Sequence, residues 1–273
     1  MLSSGSRGNC TWIGDDDNGV IIDCGPSTKR IRHLMASVGL EHAPIDAVLI
    51  THEHGDHIGA SRVLSKALEK RYDRRVPFYM TEGTWANARP NCLPPSVEVV
   101  NAGKEFEVGP FEITPISIPH DVADPVAYRV GLRGVSAAVV TDLGRPTGAV
   151  REGIRGVDAL VLESNHDPDL LASGPYPWSL KQRIRSGHGH LSNQQSADLL
   201  RSIAAESLKE VVLAHLSDEN NTPDHALAAA RRALGDLPTN LSVGRQLEAN
   251  PVLEIKPRLR FEQPRPANRR ARR

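Results

Sequence analysis

Three cysteines among 273 residues, Cys10, Cys24 and Cys92, are odd in number, far apart and outside any Cys-x-x-Cys pair. That spacing excludes a disulfide framework and a thiolate zinc site, and it fits a reducing cytoplasm. Aromatic residues make up only 4% of the chain, too few for a stacking platform along single-stranded nucleic acid. No apolar run approaches the roughly 18 residues of a membrane span. The longest candidate, 159–162, is strand-sized. The opening Met1-Leu-Ser-Ser-Gly-Ser-Arg7 lacks the apolar centre of a secretory signal. A membrane protein and a secreted precursor both fit poorly.

Net charge is also absent, with 33 Lys and Arg against 33 Asp and Glu, but the average hides an asymmetry. Residues 256–273 hold eight basic residues and one acid, Glu262, leaving 25 basic against 32 acidic over 1–255. That tail contains Pro257, Pro264 and Pro266 and almost nothing apolar, so it buries too little surface to fold. It can grip an anionic polymer or serve as a solubilising end, and its composition leaves both open. No internal repeat and no Gly/Ser-rich or Pro-rich linker divides residues 1–255, which read as a single domain.

Short β-type runs recur at 19–23, 46–51, 77–80, 97–100, 111–118, 126–132, 136–141, 157–163, 211–215 and 252–255. Several are continuously apolar, as strands covered on both faces should be. Helical patterns fall between them at 27–38, 58–72, 178–185 and from Ser192 to about Glu206. Ser192-Asn-Gln-Gln195 has the form of a capping box. Thr222-Pro223 supplies a helix cap followed by proline at the first helical position. Interleaved strands and helices imply an α/β body with sheets between helical layers.

Thr51-His52-Glu53-His54-Gly55-Asp56-His57 is the most informative stretch. Four potential ligands lie within six residues, between the end of a strand and the start of a helix. Such a turn can aim His52 and His54 one way and Asp56 and His57 another, enough to feed two adjacent ions. Imidazole with carboxylate suits zinc, and manganese or iron as well. A polar turn at a helix start explains one His and one Asp, but not three His at this spacing. His120, Asp142 and His215 stand at the ends of later strands. Singly each suits a hydrogen-bonded turn; together they suit one site, because strand ends on one side of an α/β core converge. His166, His188 and His225 have only a generic claim, and His33 and His42 read as solvent-facing.

The His-x-His-x-Asp-His string with His120, Asp142 and His215 resembles the metallo-β-lactamase superfamily. The resemblance implies a four-layer αββα sandwich with two divalent metal ions at one edge of the sheets, zinc first and manganese second. It implies His52, His54 and His120 on one ion, Asp56, His57 and His215 on the other, and Asp142 bridging. Asp23 matches an early strand-end Asp that supports the ligand loop. Ser4-Gly-Ser-Arg-Gly-Asn9, Glu163-Ser-Asn-His-Asp167, Tyr176-Pro-Trp178, Gly189-His-Leu-Ser-Asn193 and Ala214-His-Leu-Ser217 narrow the match to the YycJ/WalJ branch. That branch is implicated as a 5′-to-3′ exonuclease on double-stranded DNA. The likeness covers residues 3–255 and leaves the tail out. Relatives have an apolar strand before the Ser-Gly-Ser loop; here that strand is missing or the start is truncated, and a weakened sheet edge is the expectation.

Two divalent ions can activate a bridging water as hydroxide and clamp both ends of an in-line displacement at phosphorus, with Asp56 among the catalytic groups. No Ser or Cys nucleophile is then needed. The leaving sugar oxygen still needs a proton. A similar Glu–His pair in the superfamily's tRNA 3′-processing endonucleases implies that Glu163 orients His190 as general acid, worth about 10²–10⁴ in rate. A plain hydrogen-bonded support pair is the other reading. Ser4, Asn9, Asn165 and Ser192 are candidate substrate contacts. Lys181 and Arg185, four apart on a helix, can meet one phosphate. The leading expectation is a cytoplasmic binuclear phosphodiesterase on nucleic acid, DNA favoured, of open oligomeric state. The alternatives are a metallo-hydrolase of a small ester, thioester or cyclic phosphodiester, and a non-catalytic metal-binding scaffold. The lack of a Cys ligand and the Glu163/His190 pair disfavour a β-lactamase.

Overall fold

The computed structural model describes residues 1–256, so the basic tail after Lys256 lies outside the described residues. In chain order the elements begin β1 (Thr11–Gly14), β2 (Gly19–Ile22), α1 (Thr28–Ser37), β3 (Ala47–Leu49), α2 (Gly55–Ile58), α3 (Ser61–Tyr72), β4 (Phe78–Thr81), α4 (Glu82–Asn87) and β5 (Glu98–Val100). They continue with β6 (Phe106–Val108), β7 (Phe111–Ser117), β8 (Val126–Leu132), β9 (Val135–Val140), α5 (Gly148–Gly153), β10 (Ala159–Glu163) and α6 (Pro168–Ser173). The last are α7 (Trp178–Arg185), α8 (Asn193–Ile203), β11 (Glu210–Ala214), α9 (Pro223–Leu234) and β12 (Asn240–Val243).

Two sheets form. One has the order β1-β2-β3-β4-β5, the other β12-β11-β10-β9-β8-β7-β6. β2 to β5 and β9 to β12 run parallel, while the β1–β2 and β6 to β9 pairs are antiparallel. The apolar runs explain the layering. Leu160 and Leu162 of β10 join one core with residues of α5, α8 and α9, while Val161 between them joins the core shared by the two sheets. In the same way Val48 packs with α1 and α3, and Ala47 and Leu49 face the other sheet. Strands buried on both faces divide alternate residues between two cores, because successive side chains point to opposite sides. The result is the four-layer αββα sandwich that the resemblance implies.

The capping signals act as expected. Ser27, Ser192 and Thr222 each accept a backbone N–H of the following turn, and Ser192 with Gln195 completes a reciprocal box. Residues 58–72 differ from expectation: the helix ends at Ile58 and restarts at Ser61. The carbonyls of Asp56 and His57 are taken by the N–H groups of Asn9 and Cys24, and Ala60 N–H turns aside to Cys24 O. With its i→i+4 partners spent on neighbouring loops, the first turn cannot propagate. The run 252–255 forms no strand. β1, β6, β12, α4, α5 and α6 carry no pattern long enough to read.

The segment before β1 is held by the rest of the molecule. Leu2 and Ser3 N–H groups donate to Cys10 O, Ser4 N–H donates to Arg245 O, and Leu2 is buried. Cys10, Cys24 and Cys92 are buried free thiols. No described helix is long and apolar enough to cross a membrane.

Candidate metal centre

One edge of the sandwich collects the C-terminal ends of β2, β3, β7, β9, β10 and β11; Glu163 closes β10, and Asp23, His52, His120, Asp142 and His215 follow the other five. Three of these leave their strands with positive φ: Asp23 at 60°, Asp142 at 56° and His215 at 57°. Residues other than glycine hold that conformation at a cost of about 1 kcal/mol or more. The left-handed step turns each side chain off its strand toward the shared cleft. Gly25 lets two loops meet beneath it, since a Cβ there would lie 1.7 Å from Asp56 O.

Hydrogen bonds then decide which ring nitrogen faces the cleft. His57 Nδ1 donates to Asp23 at 2.7 Å, His215 Nδ1 to Glu163 at 3.1 Å and His120 Nδ1 to Gly189 O at 3.3 Å. His52 Nδ1 bonds to Thr51 Oγ1, which also donates to Asp23. Each anchored Nδ1–H leaves Nε2 as the lone-pair atom, the usual arrangement behind a ligating imidazole. His54 is the exception, with Nδ1 at 3.1 Å from His52 Nε2 and 3.4 Å from His120 Nε2.

Donor atoms of His52, His54 and His120 thus lie within 4.8 Å of one another, as do those of Asp56, His57 and His215. Asp142 sits between the two sets, 3.0 Å from His57 Nε2, 3.7 Å from His215 Nε2 and 3.9 Å from His120 Nε2. The fit to cations is visible in the atoms left over. His215 Nε2 is buried without a hydrogen-bond partner, and Asp142 Oδ2, 3.0 Å from His57 Nε2, makes no well-aligned hydrogen bond; buried polar atoms are seldom left so. Imidazole and carboxylate in this ratio suit a divalent ion.

The charge balance points the same way. Burial pushes the His215 imidazole down, yet Asp142, Asp56 and Glu163 overcome it and lift it to about 10. For His57, burial is likewise outweighed by Asp142 and Asp23, and its pKa stands well above the ordinary value. His52, buried among like-charged imidazoles, is pushed well below. A buried group of carboxylates therefore favours the protonated forms of His57 and His215, where divalent ions would neutralise it instead. Glu163 is fully buried. Oε2 accepts the Leu143 and Leu191 N–H groups, and Oε1 accepts His190 Nδ1 at 2.8 Å as well as His215. Burial lowers His190, but Glu163 wins and raises it.

Other anticipated residues lie elsewhere. Ser4 Oγ accepts His215 N–H, and Asn165 Nδ2 donates to His215 O, so both brace the ligand backbone. Asn9 Nδ2 donates to Gly5 O and stands 2.9 Å from His57 Nε2. Ser192 caps α8. These four are buried beneath the site. Lys181 Nζ donates to the carbonyls of Ala172 and Gly174 at the end of α6, which leaves Arg185 the freer cation of that pair. His33 and His42 are exposed, and His166 is buried with its pKa lowered to about 4, first by burial and then by His190 and Arg185. Sequence reasoning passed over Thr51, whose hydroxyl ties Asp23 to His52; its place between a strand and the His-x-His string was the available signal. It also passed over Ser6, Leu180, Arg183 and Ile184, which join the donors around an open cleft of about 200 Å³.

Residues 18–216 match the family model of the beta-lactamase superfamily domain. The chain belongs to the metallo-β-lactamase superfamily. It is 33% identical over 238 residues to exodeoxyribonuclease YycJ of Bacillus anthracis, spanning 86% of this chain and 88% of that one. Exodeoxyribonuclease WalJ of Streptococcus pneumoniae is 33% identical over 231 residues, 83% of this chain and 84% of that one. The fold alone is shared with the metallo-β-lactamase fold protein YhfI of Bacillus subtilis, at TM-score 0.67 and 16% identity, over 90% of this chain and 95% of that one. This member of the superfamily is a hydrolase of the YycJ/WalJ branch, and its His/Asp cluster has the donors to hold divalent metal.

Proposed function

We propose that the protein is a binuclear metal-dependent phosphodiesterase that degrades double-stranded DNA from the 5′ end. The observation that carries this reading is the pair of donor sets joined at Asp142, with a Glu163-anchored His190 at the same cleft. Its likeness to two exodeoxyribonucleases along most of the chain supports DNA as substrate. His52, His54 and His120 would hold one ion, Asp56, His57 and His215 the other, and Asp142 both, with zinc or manganese as the metal. Bound there, the ions would supply Lewis-acid activation of water and neutralise the phosphoryl oxygens. Asp56 orients groups at the second set. Asp23, Thr51 and Glu163 fix the imidazoles so that their geometry survives the reaction.

His190 supplies the remaining proton. Its Nδ1–H is held by Glu163, and the ring lines the cleft with 22% of its side chain exposed. Against burial, Glu163 raises its pKa and so favours the protonated form that a leaving sugar oxygen needs. Glu163, with both oxygens occupied, positions His190 and exchanges no proton itself.

The test is digestion of duplex DNA, single-stranded DNA and RNA, each labelled at the 5′ or the 3′ end, with Zn²⁺ and Mn²⁺ compared. Early release of the 5′ label from duplex DNA is expected. Inert nucleic acids together with turnover of a thioester, lactone or cyclic phosphodiester would overturn the reading.

A further inference from the structure

Among the described helices α7 alone has no buried residue. Its eight residues carry Lys181, Arg183 and Arg185 and no acid, on a body with an excess of acids. It is pinned at two points: Arg183 pairs with Asp121 at 2.5 Å, and Lys181 meets the end of α6. Leu180, Arg183 and Ile184 face the metal cleft. At 100° per residue, Trp178 and Arg185 fall together on the opposite, outward side. Trp178 is 68% exposed, more than any other large hydrophobic residue described. Arg185 is exposed and has no acceptor among the described residues.

An indole held in water, with an exposed cation two turns along the same side of a helix whose other side lines a cleft that would take a phosphodiester, has the chemistry of a base-stacking contact. Stacking needs only a π-face, so it serves an enzyme that must move past every base. Phosphate contacts likewise carry no sequence preference. One tryptophan is no platform for a long single strand, but it suffices for an end.

We propose that α7 is the end-grip of this enzyme: Trp178 stacks on a base of the DNA end delivered to the cleft, and Arg185 takes a neighbouring backbone phosphate. This rests on the reading of the protein as a DNA exonuclease and names the part that recognises the end.

The experiment follows tryptophan fluorescence of the full chain, treated with chelator, as blunt linear duplex or a covalently closed circle of the same sequence is added. Linear duplex should quench more strongly than the circle; the difference should vanish in Trp178→Phe and persist in Trp85→Phe. With metal restored, Trp178→Ala should raise KM for linear duplex about ten-fold or more, with kcat within about three-fold and Trp178→Phe near wild type. A metal count equal to wild type guards against misfolding. Unchanged KM in Trp178→Ala, or a quench that survives in Trp178→Phe, overturns the end-grip alone. A wild-type protein that neither binds nor cuts DNA overturns the nuclease reading along with it.

Discussion

On the five-stranded side of the sandwich, four candidate metal donors arrive from one six-residue turn, His52 to His57. On the seven-stranded side, His120, Asp142 and His215 come one at a time from the ends of β7, β9 and β11, separated by many residues. The first group is rigid because its turn is tied to neighbouring loops through the Asp56 and His57 carbonyls. The second is rigid because each residue follows a buried strand, and Glu163 and Gly189 O hold the rings of His215 and His120. A compact motif and a dispersed set thus reach similar order by different means. The site exists only where the two halves meet, and Asp142 is the residue that touches both sets.

Breaking that junction should have the largest effect. Asp142→Ala should lose both ions and all hydrolysis, measured by plasma mass spectrometry and by turnover of a phosphodiester. His190→Ala comes next: kcat should fall about 10²–10⁴-fold with metal content intact. The loss should shrink on a p-nitrophenyl ester, whose leaving group needs no proton. Comparing the halves directly, His54→Ala and His215→Ala should each lose about one ion and retain the other.

Acidity separates the empty site from the filled one. His215 in the folded, metal-free protein titrates at about 10, against about 6.5 for an unfolded histidine. A raised folded pKa contributes stability that is complete below about 6.5 and is lost as pH rises through about 10. Chelated protein should therefore lose melting temperature across that window. Metal displaces the proton and binds more tightly as pH rises, so loaded protein should not show the decline. The smallest effect lies farther out: Ser192→Ala should cost about 1 kcal/mol through the α8 cap, a fall of roughly 2–4 °C in Tm, with both ions kept.

What the chain discloses in one dimension follows the same division. The His52–His57 turn, the apolar runs of β8 and β10 and the caps of α8 and α9 are local, and local patterns can be read along a sequence. His120, Asp142 and His215 were readable only once strand ends were taken to converge. Ser4, Asn9, Asn165 and Ser192 are polar, and nothing in their neighbours tells a buried brace from a substrate contact. Burial depends on what folds over them. The break at Gly59 and Ala60 arises from hydrogen bonds to Asn9 and Cys24, contacts between residues far apart in the chain. The three left-handed residues Asp23, Asp142 and His215 follow no glycine or turn signature, so their strain is seen only in the fold.

The central claim is a two-ion centre built jointly by the two halves, and an anomalous difference map at the zinc edge tests it most directly. The account predicts two peaks per chain, one among His52, His54 and His120, the other among Asp56, His57 and His215, with Asp142 between them. A single peak, or His120 and His215 turned away from the His52–His57 turn, would contradict it.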